Sequence, residues 1–423
     1  MPAMTATQAA PAGHVLLGKK AGVIVFLAFA AAYFCSALVR AITATLSPVL
    51  TQEFSLQARD LGLLAGGYFL GFAAIQLPLG KWLDRYGPKR VILGFLSVAV
   101  LGCLAFSMAT SFAWLLAARV LVGMGVGACL MAPLTGYRRW FDAVTQLRAN
   151  SWMLMTGSLG MLSSTLPVQW LLPLLGWRPL FWILAALIVL SMVAIAWVTP
   201  AWPTVTPTPA ALDSSSYAEV WQSRYFRKML PLAVFNYGGM VAMQTLWATP
   251  WMIRVAGYTP LEAAKGLFYI NATMLVTFWS WGMVNPWLAR NGWNANRLIG
   301  WGVPISMLVL AANIYGGAST GWGGWALFCM SSSALGLAQP AIGMAFRPAL
   351  AGRALSAYNL GIFGGVFAVQ WGIGLLIDAF AAAGLGHVAS FQASMLVFLC
   401  CCIASYGYFV HVKADNLQAG NGS

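Results

Sequence analysis

The sequence predicts an all-α polytopic membrane protein in which twelve transmembrane helices form two six-helix pseudo-repeats. Composition, the length of the apolar runs and a repeated motif support this fold class. Of 423 residues, 60% are hydrophobic and only 8% are charged, which is too few charges for the surface of a water-soluble protein. Apolar runs of about 20 residues recur along the chain, and a helix of that length crosses a hydrocarbon core of roughly 30 Å.

Twelve such runs follow one another along the chain. The first six cover residues 21–45, 61–79, 91–109, 112–136, 150–173 and 180–198. The second six cover residues 230–251, 266–288, 298–316, 322–346, 356–380 and 388–410. Each run is long and apolar enough to be interpreted as a membrane-spanning helix.

A predicted cytoplasmic linker at residues 200–228 separates the two sets of runs, and in it four prolines precede a serine-rich and then a basic stretch. Such a composition interrupts helices and is typical of a connecting segment. We therefore expect an N-terminal tail at residues 1–20, a first half at 21–199, a second half at 229–411 and a C-terminal tail at 412–423.

An internal repeat supports the division into halves. The pattern Trp-Leu-x-Arg-x-Gly at residues 82–87 returns at 287–292, and Arg-Ala-x-Ser at 148–151 returns at 353–356. Both pairs are separated by 205 residues (287 − 82 and 353 − 148). A shared offset indicates two related six-helix units, between which a solute cavity is expected near the middle of the bilayer.

A short, densely charged turn at residues 80–93 lies between two apolar runs. Six of its positions match the loop between helices two and three that marks the Major Facilitator Superfamily: Gly80, Asp84, Arg85, Gly87, Lys89 and Arg90. The chain resembles that superfamily over almost its whole length. The resemblance implies a secondary transporter whose two halves rock about a central site, and a loop that acts as a conformational latch for the outward-open state.

The residue types of this turn suit a latch. Gly80 and Gly87 permit a tight reversal and a close backbone approach. Asp84 can pair with a cation or cap the N-terminus of a neighbouring helix. A merely solvated, positively charged loop is the alternative interpretation.

The basic residues predict the orientation in the membrane. The formal net charge is +14, but the Lys and Arg residues follow the predicted loops instead of clustering on a soluble stretch, so nucleic-acid binding is not indicated. If the N-terminus is inside, most of them lie on one side, which the positive-inside rule assigns to the cytoplasm. We expect an integral membrane protein of a bacterial inner membrane, with both termini cytoplasmic.

Two arginines fall within apolar runs and are the first candidates for a substrate site. Arg119 precedes three glycines in a stretch that resembles a superfamily motif, and residues 33–54 around Arg40 look similar to helix one of the superfamily's organic-anion symporters. An arginine at the bilayer centre costs roughly 2.5–3.5 kcal/mol, so each needs a partner or a function. Binding to carbonyls of a neighbouring helix for Arg119, and snorkelling for Arg40, are the structural alternatives.

The acidic residues all lie in loops or near helix ends, which argues against a cationic substrate. Polar and aromatic residues within the second half complete the candidate substrate site: Asn236, Gln244, Trp247, Asn359 and Gln370. For each of them, hydrogen bonding between helices is an alternative to contact with a solute.

Metal, cofactor and enzyme chemistry receive little support. The chain has 19 Met and seven Cys, but their spacing forms no ligand cage, so no metal site is assigned and copper transport is a minor alternative. The three His residues lie in tails or at helix ends, and there is no phosphate-binding loop followed by Lys-Ser or Lys-Thr. We expect no cofactor and no enzymatic activity.

The sequence thus predicts a secondary active transporter that imports a small organic solute, an organic anion or metabolite, by alternating access and with a coupled ion such as a proton. Efflux of a hydrophobic or neutral compound is the alternative. The expected partners are the solute, the coupled proton and the lipid bilayer, and the expected oligomeric state is a monomer.

Overall fold

The computed structural model of the protein describes residues 16–202 and 217–412. Parts of three predicted segments lie outside these ranges. They are residues 1–15 of the N-terminal tail, 203–216 of the linker and 413–423 of the C-terminal tail.

Six helical spans make up the first half, which is the part of the chain from α1 to α6. They are α1 Lys19–Phe54, α2 Ala58–Ala74 with its continuation over residues 76–86, α3 over residues 88–107, α4 Phe112–Trp140, α5 Ala143–Ser163 with Leu166–Leu175, and α6 Trp177–Val198. A short linker helix, Tyr217–Gln222, follows the undescribed part of the linker.

Six further spans make up the second half. They are α7 over residues 224–254, α8 Pro260–Arg290, α9 Ala295–Gly316, α10 Trp322–Ala345, α11 Pro348–Ala382 and α12 His387–His411. The predicted fold class, with twelve helices, is therefore confirmed.

Local breaks interrupt several of the spans. Within the described residues, nine helices are long and apolar enough to cross a membrane as they stand, and the two parts of α5, bent by 43°, form a tenth span. The break at Ile75 divides α2, and the π-helical turns Leu232–Tyr237 and Met243–Trp247 divide α7. Such turns change the direction in which side chains project and are frequent at functional sites.

Some of the predicted helices were shorter than those in the structure. The first helix continues to Phe54 instead of ending at residue 45, and α5 begins at Ala143 instead of 150. Asp142 explains the second difference, because its carboxylate accepts hydrogen bonds from the Val144 and Thr145 N–H groups and so caps the helix. The hydrogen bonds from Thr145 also hold the pKa of the exposed Asp142 carboxyl below its usual value.

The internal repeat is visible in the backbone. Gly87 and Gly292, which are 205 residues apart, have φ angles of +76° and +77°, a conformation that favours glycine. A second correspondence lies at the starts of α2 and α8, where an acidic side chain accepts the N–H group three residues before it: Asp60 accepts from Gln57 and Glu262 from Thr259. The two halves therefore share loop and capping geometry as well as helix order.

Glycines bring the backbone of α2 against two neighbouring helices. On one side, a methyl group at Gly71 would collide with the carbonyl oxygen of Val120 in α4, and one at Gly123 would collide with that of Tyr68. On the other side, a methyl group at Gly62 would collide with the carbonyl oxygen of Gln370 in α11. Small residues allow this close packing of helices in lipid, where van der Waals contact contributes much of the stabilisation.

The two faces of the bundle differ in how the halves meet. We call the face at which α1 begins and α12 ends the terminal face, and the opposite one the distal face. Toward the distal face, α1 contacts α7 through Met243–Trp247 and Ala248–Arg254, and α2 packs along α11. Toward the terminal face, the linker helix contacts α2, since the Tyr217 hydroxyl donates to the Leu77 carbonyl oxygen over 3.2 Å.

Large apolar side chains cover much of the outer surface. Leu174, Trp197 and Tyr315 are 79%, 85% and 94% exposed. Side chains of this size stay exposed in numbers only where lipid or a partner covers them, so this surface fits the hydrocarbon of a bilayer.

The close contact between α2 and α4 leads to a prediction about the stability of the protein. Gly123→Ala places a methyl group against the Tyr68 carbonyl oxygen, whereas the same change at Gly94 in α3 meets no atom within 4 Å. We expect Gly123→Ala to destabilise the purified protein by about 1–3 kcal/mol, the usual cost of overpacking. Gly94→Ala should be neutral or slightly stabilising, because Ala is the better helix former. Thermal unfolding in detergent measures both, and equal melting temperatures would contradict the assigned contact.

Candidate functional site

Arg40 lies in the middle of α1, at the contact between the halves. Its side chain is partly buried, and its Nε atom is buried without a hydrogen-bond partner. The guanidinium lies within electrostatic range of the phenol groups of Tyr33, Tyr68 and Tyr237. Because Tyr237 belongs to α7, both halves contribute to this cluster.

No carboxylate of the described residues forms an ion pair with Arg40. Ion pairs of the described residues include those of Arg59 with Asp60, Arg178 with Glu53 and Arg347 with Glu219, all near helix ends. A positive charge that is partly buried and has only neutral phenols beside it favours an anion as its missing partner. The cluster of Arg40 with Tyr33, Tyr68 and Tyr237, called the arginine–tyrosine cluster below, is therefore the best candidate for a solute site.

Arg119 is close by but has a different environment. It is fully buried in α4, and its two terminal nitrogens donate to the carbonyl oxygens of Val39, over 2.9 Å, and Arg40, over 3.1 Å. Its guanidinium also lies 5.1 Å from the centre of the Tyr68 ring. This geometry matches the structural alternative, in which the arginine binds α4 to α1. A direct contact of Arg119 with solute stays an untested prediction.

Tyr68 connects the two arginines. It is fully buried, its hydroxyl donates to the Ser36 carbonyl oxygen over 3.4 Å, and its ring stacks on Phe72. Its phenol lies within electrostatic range of both arginines, and the Arg119 guanidinium lies over its ring. The close packing of α2 against α4 therefore places Tyr68 next to Arg40 and Arg119.

The two amide residues of α7 that were predicted for the substrate site form hydrogen bonds to other helices. The Asn236 side-chain nitrogen donates to the Ser405 hydroxyl of α12 over 2.6 Å. The Gln244 nitrogen donates to the Asn271 side-chain oxygen of α8 over 2.9 Å. Both amides thus hold α7 in place, and each lies on or beside a π-helical turn.

The other three predicted residues form contacts with α7, α10 or α11. The Trp247 indole donates to the Gln370 carbonyl oxygen over 3.1 Å, and the Asn359 oxygen accepts from Gln339 over 2.7 Å. The Gln370 side-chain nitrogen donates to the Thr245 hydroxyl, while its side-chain oxygen is buried without a partner. All five second-half candidates thus take part in hydrogen bonds between helices, and their contact with solute stays a prediction.

The charged turn at residues 80–93 contacts the first half in this structure. Lys89 donates to the Thr199 carbonyl oxygen at the end of α6 over 3.1 Å, and the Trp202 side chain lies beside Gly87. Asp84 is exposed and within electrostatic range of Arg138 and Arg139, which follow one another in α4.

The remaining residues of the turn are exposed or make few close contacts. Arg85 and Arg90 are exposed, and the Arg85 guanidinium lies 5.2 Å from the Tyr86 ring. A methyl group at Gly80 would meet no atom within 4 Å, so no close backbone approach occurs there. A latch between the halves stays a prediction for this turn.

Comparison with known proteins decides the family. The model of the Major Facilitator Superfamily matches residues 29–369, which is most of the chain. The chain belongs to the Major Facilitator Superfamily. This membership confirms the predicted family, whose members are membrane transporters and not enzymes.

Relatives of known sequence match only part of the chain. It is 28% identical over 199 residues to the multidrug resistance protein MdtL of Escherichia coli strain S88, covering 44% of this chain and 49% of MdtL. It is 29% identical over 256 residues to the inner membrane transport protein YajR of Escherichia coli strain K12, covering 57% and 52%. A probable L-galactonate transporter of strain K12 is 25% identical over 271 residues, covering 57% and 56%. The chain thus spans about half the length of these relatives.

Solved structures agree with the fold over nearly the whole chain. A bacterial homologue of the human lysosomal transporter Spinster, inward-facing and unoccupied, superposes with a TM-score of 0.75 at 18% identity, covering 93% of this chain and 97% of the other. A D-xylose–proton symporter superposes with a TM-score of 0.74 at 13% identity, covering 94% and 98%. At these identities the likeness concerns the superfamily fold alone.

Sequence reasoning placed Arg40 in the candidate site but none of the three tyrosines of the arginine–tyrosine cluster. Tyr33 and Tyr237 are polar groups within apolar runs, and Tyr68 carries a different signal. Its signal was the glycine-rich segment Gly66-Gly67-Tyr68, because neighbouring glycines indicate close helix packing around a large side chain.

The bonds of Arg119 predict a role in stability. Arg119→Met removes two charge-assisted hydrogen bonds, each contributing about 1.5–3 kcal/mol. We expect a clear loss of thermal stability in the purified transporter without any solute. Arg40→Met, which breaks no side-chain hydrogen bond to a carbonyl, should change the melting temperature less. An Arg119→Met protein as stable as the unmodified one would contradict this role.

Proposed function

We propose that this transporter carries a small organic anion through the bilayer and binds it at the arginine–tyrosine cluster. The observation that supports this proposal best is Arg40, which is partly buried at the contact between the halves and has no acidic partner among the described residues. A carboxylate can accept two parallel hydrogen bonds from a guanidinium, and phenol hydroxyls can donate to the same group. Tyr33, Tyr68 and Tyr237 supply those phenols.

We further propose that transport is ion-coupled import by alternating access. Uptake of a single negative charge against an inside-negative potential of 100 mV costs about 2.3 kcal/mol, so a coupled cation such as a proton is expected to move with the anion. The Arg40 site joins both halves, so an anion bound there interacts with both and is released when they separate. A monomer contains the complete arginine–tyrosine cluster, which supports the expectation that one chain is the transport unit.

Export of a hydrophobic or neutral compound is the second candidate. It is favoured by the partial similarity to a multidrug resistance protein at 28% identity. In that case Arg40 would serve the packing of α1, and removal of its charge would leave solute binding unchanged. Copper transport is the least favoured alternative, because thioether ligands are expected around Cu(I) and the arginine–tyrosine cluster contains none.

Ligand binding to the purified full chain tests the anion proposal. Small carboxylates, neutral metabolites, hydrophobic cations and Cu(I) are screened for an increase in melting temperature, since a ligand of the native state stabilises it by mass action. We expect a carboxylate to stabilise the protein and Arg40→Gln to weaken its binding roughly 10- to 100-fold, the loss of one or two charge-assisted hydrogen bonds. Tyr237→Phe should weaken it less.

A second arginine in the same chain provides the control. Arg227 is exposed in α7, where it donates to the Gln222 carbonyl oxygen over 3.1 Å. Arg227→Gln removes one positive charge without touching the cluster, so it should leave carboxylate binding unchanged. Stabilisation by hydrophobic compounds alone, with no effect of Arg40→Gln, would reject the anion proposal and support export.

We also propose that the terminal face is cytoplasmic and that the protein lies in a bacterial inner membrane. The support is the positive-inside rule, because Lys81, Arg90, Arg138 and Arg227 lie toward this face. Reporter fusions at the C-terminus test the orientation. Fluorescent protein fused there should fold and fluoresce in intact cells, whereas alkaline phosphatase at the same place should be inactive, and active phosphatase would reverse the assignment.

A further inference from the structure

Asp378 lies near the end of α11 at the distal face, and its carboxylate reaches the other half. One oxygen accepts the N–H group of Ala58 over 3.2 Å, and the second accepts that of Arg59 over 2.8 Å. Ala58 and Arg59 are the first two residues of α2. The first N–H groups of a helix have no partner within it and carry a partial positive charge, so a carboxylate is well suited to bind them.

The hydrogen bonds of Asp378 cross between the two halves, whereas those of Glu53 and Glu262 stay within one half. Glu53 accepts the Trp177 indole and pairs with Arg178 inside the first half, while Glu262 accepts the Thr259 N–H group and hydroxyl inside the second. Among the described residues, Asp378 is the acid that joins α2 of one half to α11 of the other.

Close backbone contact beside Asp378 brings its carboxylate within reach. A methyl group at Gly374, one helical turn before Asp378, would collide with the carbonyl oxygen of Ala58. A methyl group at Gly372 of the same helix would meet no atom within 4 Å. The contact between α2 and α11 at this face therefore depends on the absence of a side chain at Gly374.

Water can reach this contact from the distal face. A cavity of about 760 Å³ opens beside it, and both halves line it, with Arg59 from the first and Arg254, Asp378 and His387 from the second. When the halves separate here, water can replace the hydrogen bonds of the carboxylate and of the two N–H groups. The carboxylate and the two N–H groups can therefore stay hydrogen-bonded whether this face is closed or open.

We propose that Asp378 is a distal latch: its hydrogen bonds to the start of α2 hold the two halves together at the distal face and break each time that face opens. The latch concerns the equilibrium between two arrangements of the halves, so it does not depend on which solute is carried. Asp378 acts by positioning the halves and not by contact with the solute.

Distances between two spin labels on the distal face test the latch. Met108 at the end of α3 and Ser319 after α9 are exposed and belong to different halves. Labels are attached to cysteines at these positions after the two accessible native cysteines, Cys400 and Cys401, are changed to serine. Double electron–electron resonance on the full chain in lipid nanodiscs then gives the ratio of short to long distances, without any solute.

We expect Asp378→Asn to increase the ratio of open to closed protein about ten-fold, because a neutral amide in place of the ionised carboxylate roughly halves the strength of the two hydrogen bonds to the start of α2. Gly374→Ala should act in the same direction by a steric route. Two matched controls should leave the ratio unchanged: Glu262→Gln, which removes a cap inside one half, and Gly372→Ala, which adds a methyl group to open space.

An unchanged ratio in Asp378→Asn, in a monodisperse protein, would overturn the latch. An equal shift in Asp378→Asn and Glu262→Gln would also overturn it, because the effect would then be a general loss of helix capping. If Asp378→Asn does not fold, Gly374→Ala is compared with Gly372→Ala instead. Equal ratios of open to closed protein in these two variants would reject the latch. No solute enters these measurements, so a failure of the anion proposal cannot produce any of these outcomes.

Discussion

The close approach of α2 to both α4 and α11 is the constraint on which the rest of the structure depends. Lipid offers no hydrophobic driving force between helices, so their association relies on van der Waals contact and hydrogen bonds. Glycines at Gly62, Gly71 and Gly123 remove the side chains that would hold these backbones apart. Because α2 is fixed in this way, Tyr68 lies next to both arginines and the Ala58 N–H group lies within hydrogen-bonding distance of the Asp378 carboxylate.

The two arginines are neighbours in the bundle but have different partners. Arg119 is surrounded on all sides and uses its terminal nitrogens on the carbonyl oxygens of α1. The backbone carbonyl of Arg40 is one of these acceptors, whereas the Arg40 side chain lies near the phenol groups of Tyr33, Tyr68 and Tyr237. Arg119 thereby fixes the part of α1 that presents Arg40 to the second half.

Sequence reasoning was most successful where one property of the chain decides the structure. The twelve spans follow from the length of the apolar runs, and the loop equivalence of Gly87 and Gly292 follows from the repeated motif. It was less successful where the role of a side chain depends on which helix packs against it. Asn236 and Gln244 could not be separated from solute-binding residues, because an amide in lipid needs a partner in either case. Their partners, Ser405 and Asn271, come from helices whose placement the sequence does not reveal.

Helix ends and local irregularities escaped prediction for a related reason. Asp142 extends α5 by several residues because its carboxylate caps the helix, an effect of a single residue within a polar stretch. The π-helical turns of α7 leave no clear mark in composition, although they re-aim the side chains around Tyr237 and Trp247. Site residues on an irregular helix are therefore the ones that hydrophobic periodicity assigns least well.

The contacts at the two faces favour different arrangements of the halves. At the terminal face, two polar contacts run through the linker helix: the exposed ion pair of Glu219 with Arg347, and the hydrogen bond of the Tyr217 hydroxyl to the Leu77 carbonyl oxygen. Exposed ion pairs contribute only about 0–1 kcal/mol, so they resist separation weakly. The distal face combines backbone contact at Gly374 with the carboxylate of Asp378. Alternating access needs two arrangements of similar free energy, and a contact made of a few replaceable hydrogen bonds meets that need better than a large apolar interface, which would hold one arrangement permanently.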